Sequence, residues 1–136
     1  MTFTLTPHLG ADALRFGMSR SAIRAQLAET PTQFLRAEVE DTDYYPSVGL
    51  FVIYQEGEIC VALEFTRPAR VLLSGISLLP LAKKKALALF HEDATLTQDD
   101  ASWTSYQQGI GAYYEESRRA ESIIAFSPGY YESSML

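Results

Sequence analysis

Cysteine and histidine are scarce in this chain of 136 residues, in which Cys60 is the only cysteine and His8 and His91 are the only histidines. One cysteine excludes an intrachain disulfide and favours a reducing compartment, so we expect a cytoplasmic protein. The chain has no CxxC or HxxxH spacing, and no zinc site is predicted. Cys60 shares one side of a predicted strand with Glu58 and Glu64, whose charges would raise the pKa of its thiol and favour a structural role.

Long apolar runs and phosphate-binding motifs are also missing. No run approaches the eighteen or so residues of a membrane helix, and the first ten residues have no basic start before an apolar stretch. We therefore expect neither a membrane contact nor a signal peptide. The sequence contains no GxGxxG or GxxxxGKS motif, and GIG at 109–111 is too short for a phosphate loop. With no convergent catalytic set in view, the sequence predicts a protein that is not an enzyme and holds no cofactor.

The acidic residues are concentrated in two blocks. The net charge is −6, which argues against direct binding of nucleic acid. From Glu38 to Glu64, and again from Glu92 to Glu116, the chain contains acids and no Lys or Arg. This segregation indicates faces of different charge, although acidic loops that only keep a protein soluble explain it equally. Carboxylate pairs in both blocks could ligate a metal, but the EF-hand order of ligands is absent and no metal site is predicted.

Two segments have the pattern of helices, and most of the remainder has the pattern of strands. In residues 16–31, Ile23 and Leu27 recur at helical spacing after Ser19, a plausible N-cap. Residues 79–93, LPLAKKKALALFHED, have a second amphipathic pattern. Segments such as VGLFVIY and EICVALEF have the length and composition of strands.

Two similar segments of ten residues lie sixty residues apart: GLFVIYQEGE starts at Gly49, and GIGAYYEESR starts at Gly109. We interpret them as part of a tandem repeat over 17–76 and 77–132, although any two amphipathic hairpins share some of this pattern. The sequence therefore predicts one α+β domain, residues 1–136. Its two tandem helix-plus-antiparallel-sheet units would pack their helices on one face of the sheet.

Aromatic residues lie beside the acids. Six of the eight tyrosines form adjacent pairs, and neighbours on a strand point to opposite faces. We therefore expect one member of each pair in the core and the other facing water or a partner, although tyrosine is also an ordinary sheet residue. Aromatic anchors beside carboxylates suit the docking of a basic protein. The predicted partner-binding residues are Asp41, Asp43, Tyr44, Tyr45, Asp99, Asp100, Trp103, Tyr106, Glu115 and Glu116.

The segment GMSRSAIRAQL resembles the G-M-[ST]-x-x-x-[VI]-x-x-x-L helix of small domains built like beta-lactamase inhibitor protein and the outer-membrane assembly lipoprotein. The matching residues are Gly17, Met18, Ser19, Ile23 and Leu27. In those domains a helical segment packs on an antiparallel sheet, and the inhibitor carries the unit twice. In its overall character the chain is similar to the cytosolic immunity proteins of bacterial toxin systems, which are small, often acidic and free of catalytic residues.

This resemblance implies a non-enzymatic immunity or inhibitor protein that binds a cognate toxin, such as a basic nuclease domain, through an acidic, tyrosine-rich face. The protein would be a monomer or a weak homodimer. Two alternatives stay open. A small-molecule-binding or enzymatic domain would have a cleft between the two repeats, on which Glu and Tyr side chains converge. A structural subunit would form a stable homodimer through a self-complementary apolar face.

Overall fold

The fold was analysed in a computed structural model, which describes residues 1–37, 40–55, 57–79, 81–114 and 120–131. These residues contain thirteen strands and two short helices, so the protein is mostly β. Within them, no helix has the length and apolar character needed to cross a membrane.

The helices are α1 (Arg20–Ala25), which lies between the third and fourth strands, and α2 (Lys83–Leu89), which lies between the ninth and tenth. The strands in chain order are β1 (Thr2–Thr6), β2 (Gly10–Ala11), β3 (Leu14–Arg15), β4 (Thr32–Ala37), β5 (Glu40–Tyr45), β6 (Leu50–Gln55), β7 (Ile59–Thr66), β8 (Arg70–Leu73), β9 (Ile76–Leu79), β10 (Leu96–Gln98), β11 (Ser102–Ser105), β12 (Ile110–Tyr113) and β13 (Ser122–Phe126).

The strands form a large sheet and a small one. The large sheet has eight strands in the order β10-β11-β12-β13-β7-β6-β5-β4, and all of its pairs are antiparallel. It consists of two four-strand meanders, β4–β7 and β10–β13, which meet where β7 pairs with β13. The small sheet has the order β3-β2-β1-β8-β9, and its β1–β8 pair is parallel.

The main core lies between the two sheets. We call the side of the large sheet that carries Val52 and Tyr54 the inner face, and the side that carries Phe51 and Ile53 the outer face. Inner-face residues belong to one buried cluster with the small sheet and both helices. For example, Phe3 of β1 packs on Phe65 of β7, with ring centroids 5.0 Å apart. A smaller cluster on the outer face includes Ile53 and lies under the segment that follows β13.

The predicted α+β fold of two tandem helix-plus-sheet units, with helices packed on one face, is wrong. The helices span only six and seven residues, and they bury just Arg20, Ile23 and Ala86 between them. Such short helices remove too little apolar surface from water to form a layer over eight strands. The small sheet covers the inner face instead, through residues such as Phe3 of β1 and Val71 of β8.

The two similar segments that start at Gly49 and Gly109 occupy equivalent places in the two meanders. Each begins at a glycine that ends a four-residue turn in the left-handed region, with φ of +81° at Gly49 and +67° at Gly109. The Gly49 N–H donates to the Tyr45 carbonyl at 2.9 Å, and the Gly109 N–H donates to the Ser105 carbonyl at 2.8 Å. The shared glycine therefore serves the turn into β6 and β12, while the predicted bounds of the repeat stay a prediction.

Candidate partner-binding face

Two aspartates of the first acidic block bind the helix that follows β3. Asp41 and Asp43 lie on the inner face of β5, opposite Arg20 and Arg24, which are four residues apart on α1 and therefore on one side of it. Arg20 donates to Asp41 at 2.8 Å and to Asp43 at 2.9 Å. Arg24 donates to Asp43 through two nitrogens at 2.7 and 2.8 Å. Ser19 starts the helix here, because its hydroxyl accepts from the Ala22 N–H at 3.2 Å.

These contacts keep the carboxylates charged inside the protein. Burial alone would raise the pKa of Asp43, but hydrogen bonds from Arg24 and Arg20 outweigh it and hold that pKa below its usual value. The hydrogen bond from Arg20 lowers the pKa of Asp41, and the same bond raises the pKa of Arg20. The side chain of Asp43 is completely buried, and so is Tyr45. In this structure neither residue presents a surface to a partner.

Two aspartates of the second acidic block lie at the surface. Asp99 and Asp100 are exposed in the turn between β10 and β11. The Asp99 carboxylate accepts from the Ala101 N–H at 2.8 Å and from the Ser102 hydroxyl at 3.1 Å, so it stabilises the turn. Asp100 is exposed beside it and is the more accessible charge of the pair for a partner.

Trp103 and Tyr106 lie on opposite sides of the large sheet. Trp103 is buried on the inner face, where its Nε1–H donates to the Tyr114 hydroxyl at 2.8 Å. Tyr106 is 42% exposed in the turn before β12, on the outer face. Glu115 and Glu116, the last two predicted partner-binding residues, lie outside the described residues.

The outer face carries an ion pair that the sequence analysis did not identify. Arg36 of β4 donates to Glu64 of β7 at 2.7 Å, although β5 and β6 lie between those two strands. Both side chains therefore lie across the face rather than pointing away from it. Burial would lower the pKa of Arg36, but its contact with Glu64 raises that pKa above its usual value. The pair forms one wall of a groove.

This outer groove has a volume of about 290 Å³ and lies over the junction of the two meanders. Its floor is open because Gly111 has no side chain. A Cβ at that position would lie 3.2 Å from the Trp103 carbonyl oxygen and 3.3 Å from Ile124. A glycine inside a strand often marks a place where another group approaches the backbone closely. The other lining side chains include those of Arg36, Glu64, Thr104, Tyr113, Ser122 and Tyr131.

Aromatic side chains flank the groove on both sides. Next to β4, Tyr44 stacks on Phe51 with ring centroids 4.2 Å apart. On the opposite side, Phe126 contacts Tyr131 at 4.8 Å and Tyr106 at 6.2 Å. Of the predicted residues, Tyr44 and Tyr106 thus lie on the outer face, in different meanders. The sequence analysis did not select Phe51, Phe126, Tyr131 or the exposed Tyr113, although two of these belong to the tyrosine pairs that it noted.

The chemistry of the outer groove suits binding. Among the described residues, the polar side chains of its lining are hydroxyls and the Arg36–Glu64 ion pair, which can orient a guest. Burial raises the pKa of Cys60, which lies on the inner side, to about 12. In the part of the chain that the structure describes, no three His, Cys, Asp or Glu side chains are grouped so as to hold a metal ion.

No protein-family model, curated protein or solved structure matches the chain.

Proposed function

We propose that this chain is a non-enzymatic immunity or inhibitor protein, which binds and neutralises a toxin domain through the outer face of its large sheet. The observation that carries the proposal is the placement of Tyr113. This residue is 46% exposed, lines the outer groove and pairs across β12–β11 with Ser102, whose hydroxyl bonds the carboxylate of Asp99. An aromatic anchor, a groove and an acidic turn therefore adjoin one another.

The aromatic residues would supply most of the binding energy. Tyrosine combines a large apolar area with a polar hydroxyl and few rotatable bonds, so it loses little entropy when a partner covers it. Tyr44 and Tyr106 are held by neighbouring rings on rigid strands or a tight turn, which keeps the face ordered before binding. A partner that covers this face would bury both Tyr113 and Tyr106, which are exposed in the free protein.

The acidic turn would speed association and select a basic partner. Asp99 and Asp100 lie at the end of the outer face that Tyr113 occupies, and the whole chain has a net charge of −6. Carboxylates at the rim of an interface attract a positively charged protein from solution and lose that effect as salt is added. The proposed partner is therefore a basic toxin domain, such as a nuclease, and the proposed setting is the bacterial cytoplasm.

Two variants test the outer face, each with a matched control. The chain would be co-expressed with the toxin domain encoded beside its gene, and affinity and growth protection would be measured. We expect Tyr113→Ala to weaken binding at least about tenfold, and Asp100→Lys to slow association and reduce its salt dependence. Leu89→Ala on α2 and Glu92→Lys are controls with the same kinds of change away from the face. Equal effects of Tyr113→Ala and Leu89→Ala would rule out the outer face.

The second candidate function is the binding of a small molecule in the outer groove. The groove lies where the two meanders meet, and Glu64, Tyr113 and Tyr131 line it, which supports this candidate. Its volume of about 290 Å³ is at the lower end of the range for small-molecule sites. Thermal-shift screening with amino acids, sugars and nucleosides is the test. A ligand that stabilises the wild-type chain but not Gly111→Val would support this function.

A further inference from the structure

In the part of the chain that the structure describes, β4 is an open edge of the large sheet. Among the strands that the structure describes, it pairs with β5 alone, so alternate N–H and C=O groups on its other side face no strand. Residues 32–36 are all exposed. Leu35 is 74% exposed on the inner side, and Phe34 is 39% exposed on the outer side. Both sides of this edge therefore combine open backbone groups with apolar surface.

β10, at the opposite edge of the same sheet, has two features that hinder the addition of another strand and that β4 lacks. β10 has only three residues, and the acidic turn Asp99–Asp100 follows it directly. Short length and charge are two common devices against strand addition. β4 has six residues, TQFLRA, with no proline or lysine, and its one charged group, Arg36, is turned inward onto Glu64. The contrast leaves the β4 edge open to pairing with a further strand.

We infer that β4 pairs antiparallel with β4 of a second copy of this chain and joins two large sheets into one. A register centred on Phe34 keeps side chains of the same face opposite each other and uses residues 32–36. Phe34 then faces Phe34 of the second copy, Gln33 faces Leu35, and Thr32 faces Arg36. The single charge meets an uncharged residue, whereas like charges directly opposite each other would be unfavourable. The strand is thus complementary to itself.

The same geometry sets the size and strength of the assembly. Pairing of identical edges about a twofold axis uses both β4 edges, so the assembly closes as a dimer and does not grow. One pair of six-residue strands buries less than the about 1,000 Å² that a stable interface needs. The dimer is therefore weak, and its population depends on protein concentration.

Sedimentation velocity on the wild-type chain, from micromolar to millimolar concentration, is the first test. The average mass is expected to rise from the monomer value of 15.2 kDa towards twice that value. Hydrogen exchange provides a second reading that needs no variant. The β4 amides that point away from β5 should gain protection as concentration rises, while those of β10 should not. A mass that stays at 15.2 kDa up to millimolar concentration would overturn the inference.

A charge exchange at Leu35 then tests which surface is used. In the proposed register the two Leu35 side chains are diagonal neighbours, within reach of each other when replaced by long side chains. L35K alone and L35E alone should each weaken the dimer at least about tenfold, and an equimolar mixture of the two variants should restore it. Thr97→Lys on the β10 edge is the matched control. Dimerisation that responds equally to L35K and T97K, or a mixture that does not recover, would refute β4 pairing.

Discussion

The guanidinium of Arg20 binds the carboxylate of Asp43 side-on through two hydrogen bonds. Its Nε lies 3.2 Å from one carboxylate oxygen, and its Nη2 lies 2.9 Å from the other. Both side chains are buried, and the same guanidinium lies over the ring of Tyr54 at 4.7 Å. The pair fixes α1 to β5. Together with the Arg20–Asp41 contact, it explains why two of the six acidic residues predicted for docking are used to hold the fold together.

Replacement of Arg20 by methionine should destabilise the fold strongly. Met fills a similar volume but leaves Asp43 with Arg24 as its one remaining cationic partner, and removing one member of a buried ion pair costs about 3–5 kcal/mol. Urea unfolding of R20M measures the loss. Arg70→Met, at an exposed arginine of β8, is the control and should change the free energy of unfolding by less than about 0.5 kcal/mol. Equal losses in the two variants would show that the pair contributes nothing specific.

The two aspartates of β5 should make the protein sensitive to acid. The hydrogen bond from Arg20 lowers the folded pKa of Asp41, and arginine hydrogen bonds overcome burial to lower that of Asp43. A depressed folded pKa gives stability that is complete above the unfolded value, about 4, and is lost as pH falls through the folded pKa. The free energy of unfolding should therefore fall steeply below about pH 4. In Asp41→Asn the slope should be shallower, and an unchanged slope would contradict this assignment.

Cys60 should be inert to thiol reagents in the folded protein. It is fully buried, and burial raises the pKa of its thiol to about 12, so little reactive thiolate exists near neutral pH. Reaction with a chromogenic disulfide should be slow in buffer and should accelerate with urea in parallel with unfolding. The readout is unambiguous because the chain has one cysteine. Complete labelling within seconds in the absence of denaturant would contradict the structure.

Tyr54 and Tyr114 occupy equivalent ends of β6 and β12 but have different hydroxyl partners. Tyr114 accepts from Trp103 at 2.8 Å, whereas the buried Tyr54 hydroxyl has no hydrogen-bond partner among the described residues. Tyr114→Phe should leave the indole N–H unsatisfied and cost about 1–3 kcal/mol. Tyr54→Phe should be neutral or stabilising, which makes it the natural control. Urea unfolding of both variants decides the matter, and an equal loss in both would contradict the difference.

The sequence predicted the local features of the fold well. Ser19 is the N-cap of α1, and β6 and β7 lie within the predicted strand segments except that each extends one residue further at its C-terminal end. The expectation that adjacent tyrosines divide between core and surface is confirmed for two pairs, since Tyr45 and Tyr114 are buried while their neighbours are not. These features depend on neighbours in the chain, where cap chemistry and strand alternation act directly.

The fold class and the groove depend on contacts between distant residues. β2 and β3 have two residues each, too few to show a period, and β1 pairs with β8 nearly seventy residues away. The small sheet could therefore not be predicted from the pattern of residues in the sequence. The same holds for the Arg36–Glu64 pair, which crosses two strands. Asp43 was predicted to be a docking residue because it is an acid beside two tyrosines. No periodicity in the sequence indicates that β5 turns its side chain towards α1.

Two turn glycines, one in the large sheet and one in the small sheet, lead to a final prediction. Gly49 and Gly75 have the same φ of +81°, but their surroundings differ. A Cβ at Gly49 would lie 2.3 Å from the Thr66 carbonyl oxygen, whereas a Cβ at Gly75 would meet nothing within 4 Å. Gly75→Ala should therefore cost only the strain of the left-handed region, about 1–2 kcal/mol. Gly49→Ala adds a clash with backbone that cannot move without breaking the β6–β7 pair, and should cost about 1–3 kcal/mol more. Thermal unfolding of the two variants separates the two effects, and a Gly49→Ala protein as stable as Gly75→Ala would show that the turn between β5 and β6 is not packed against β7 as described.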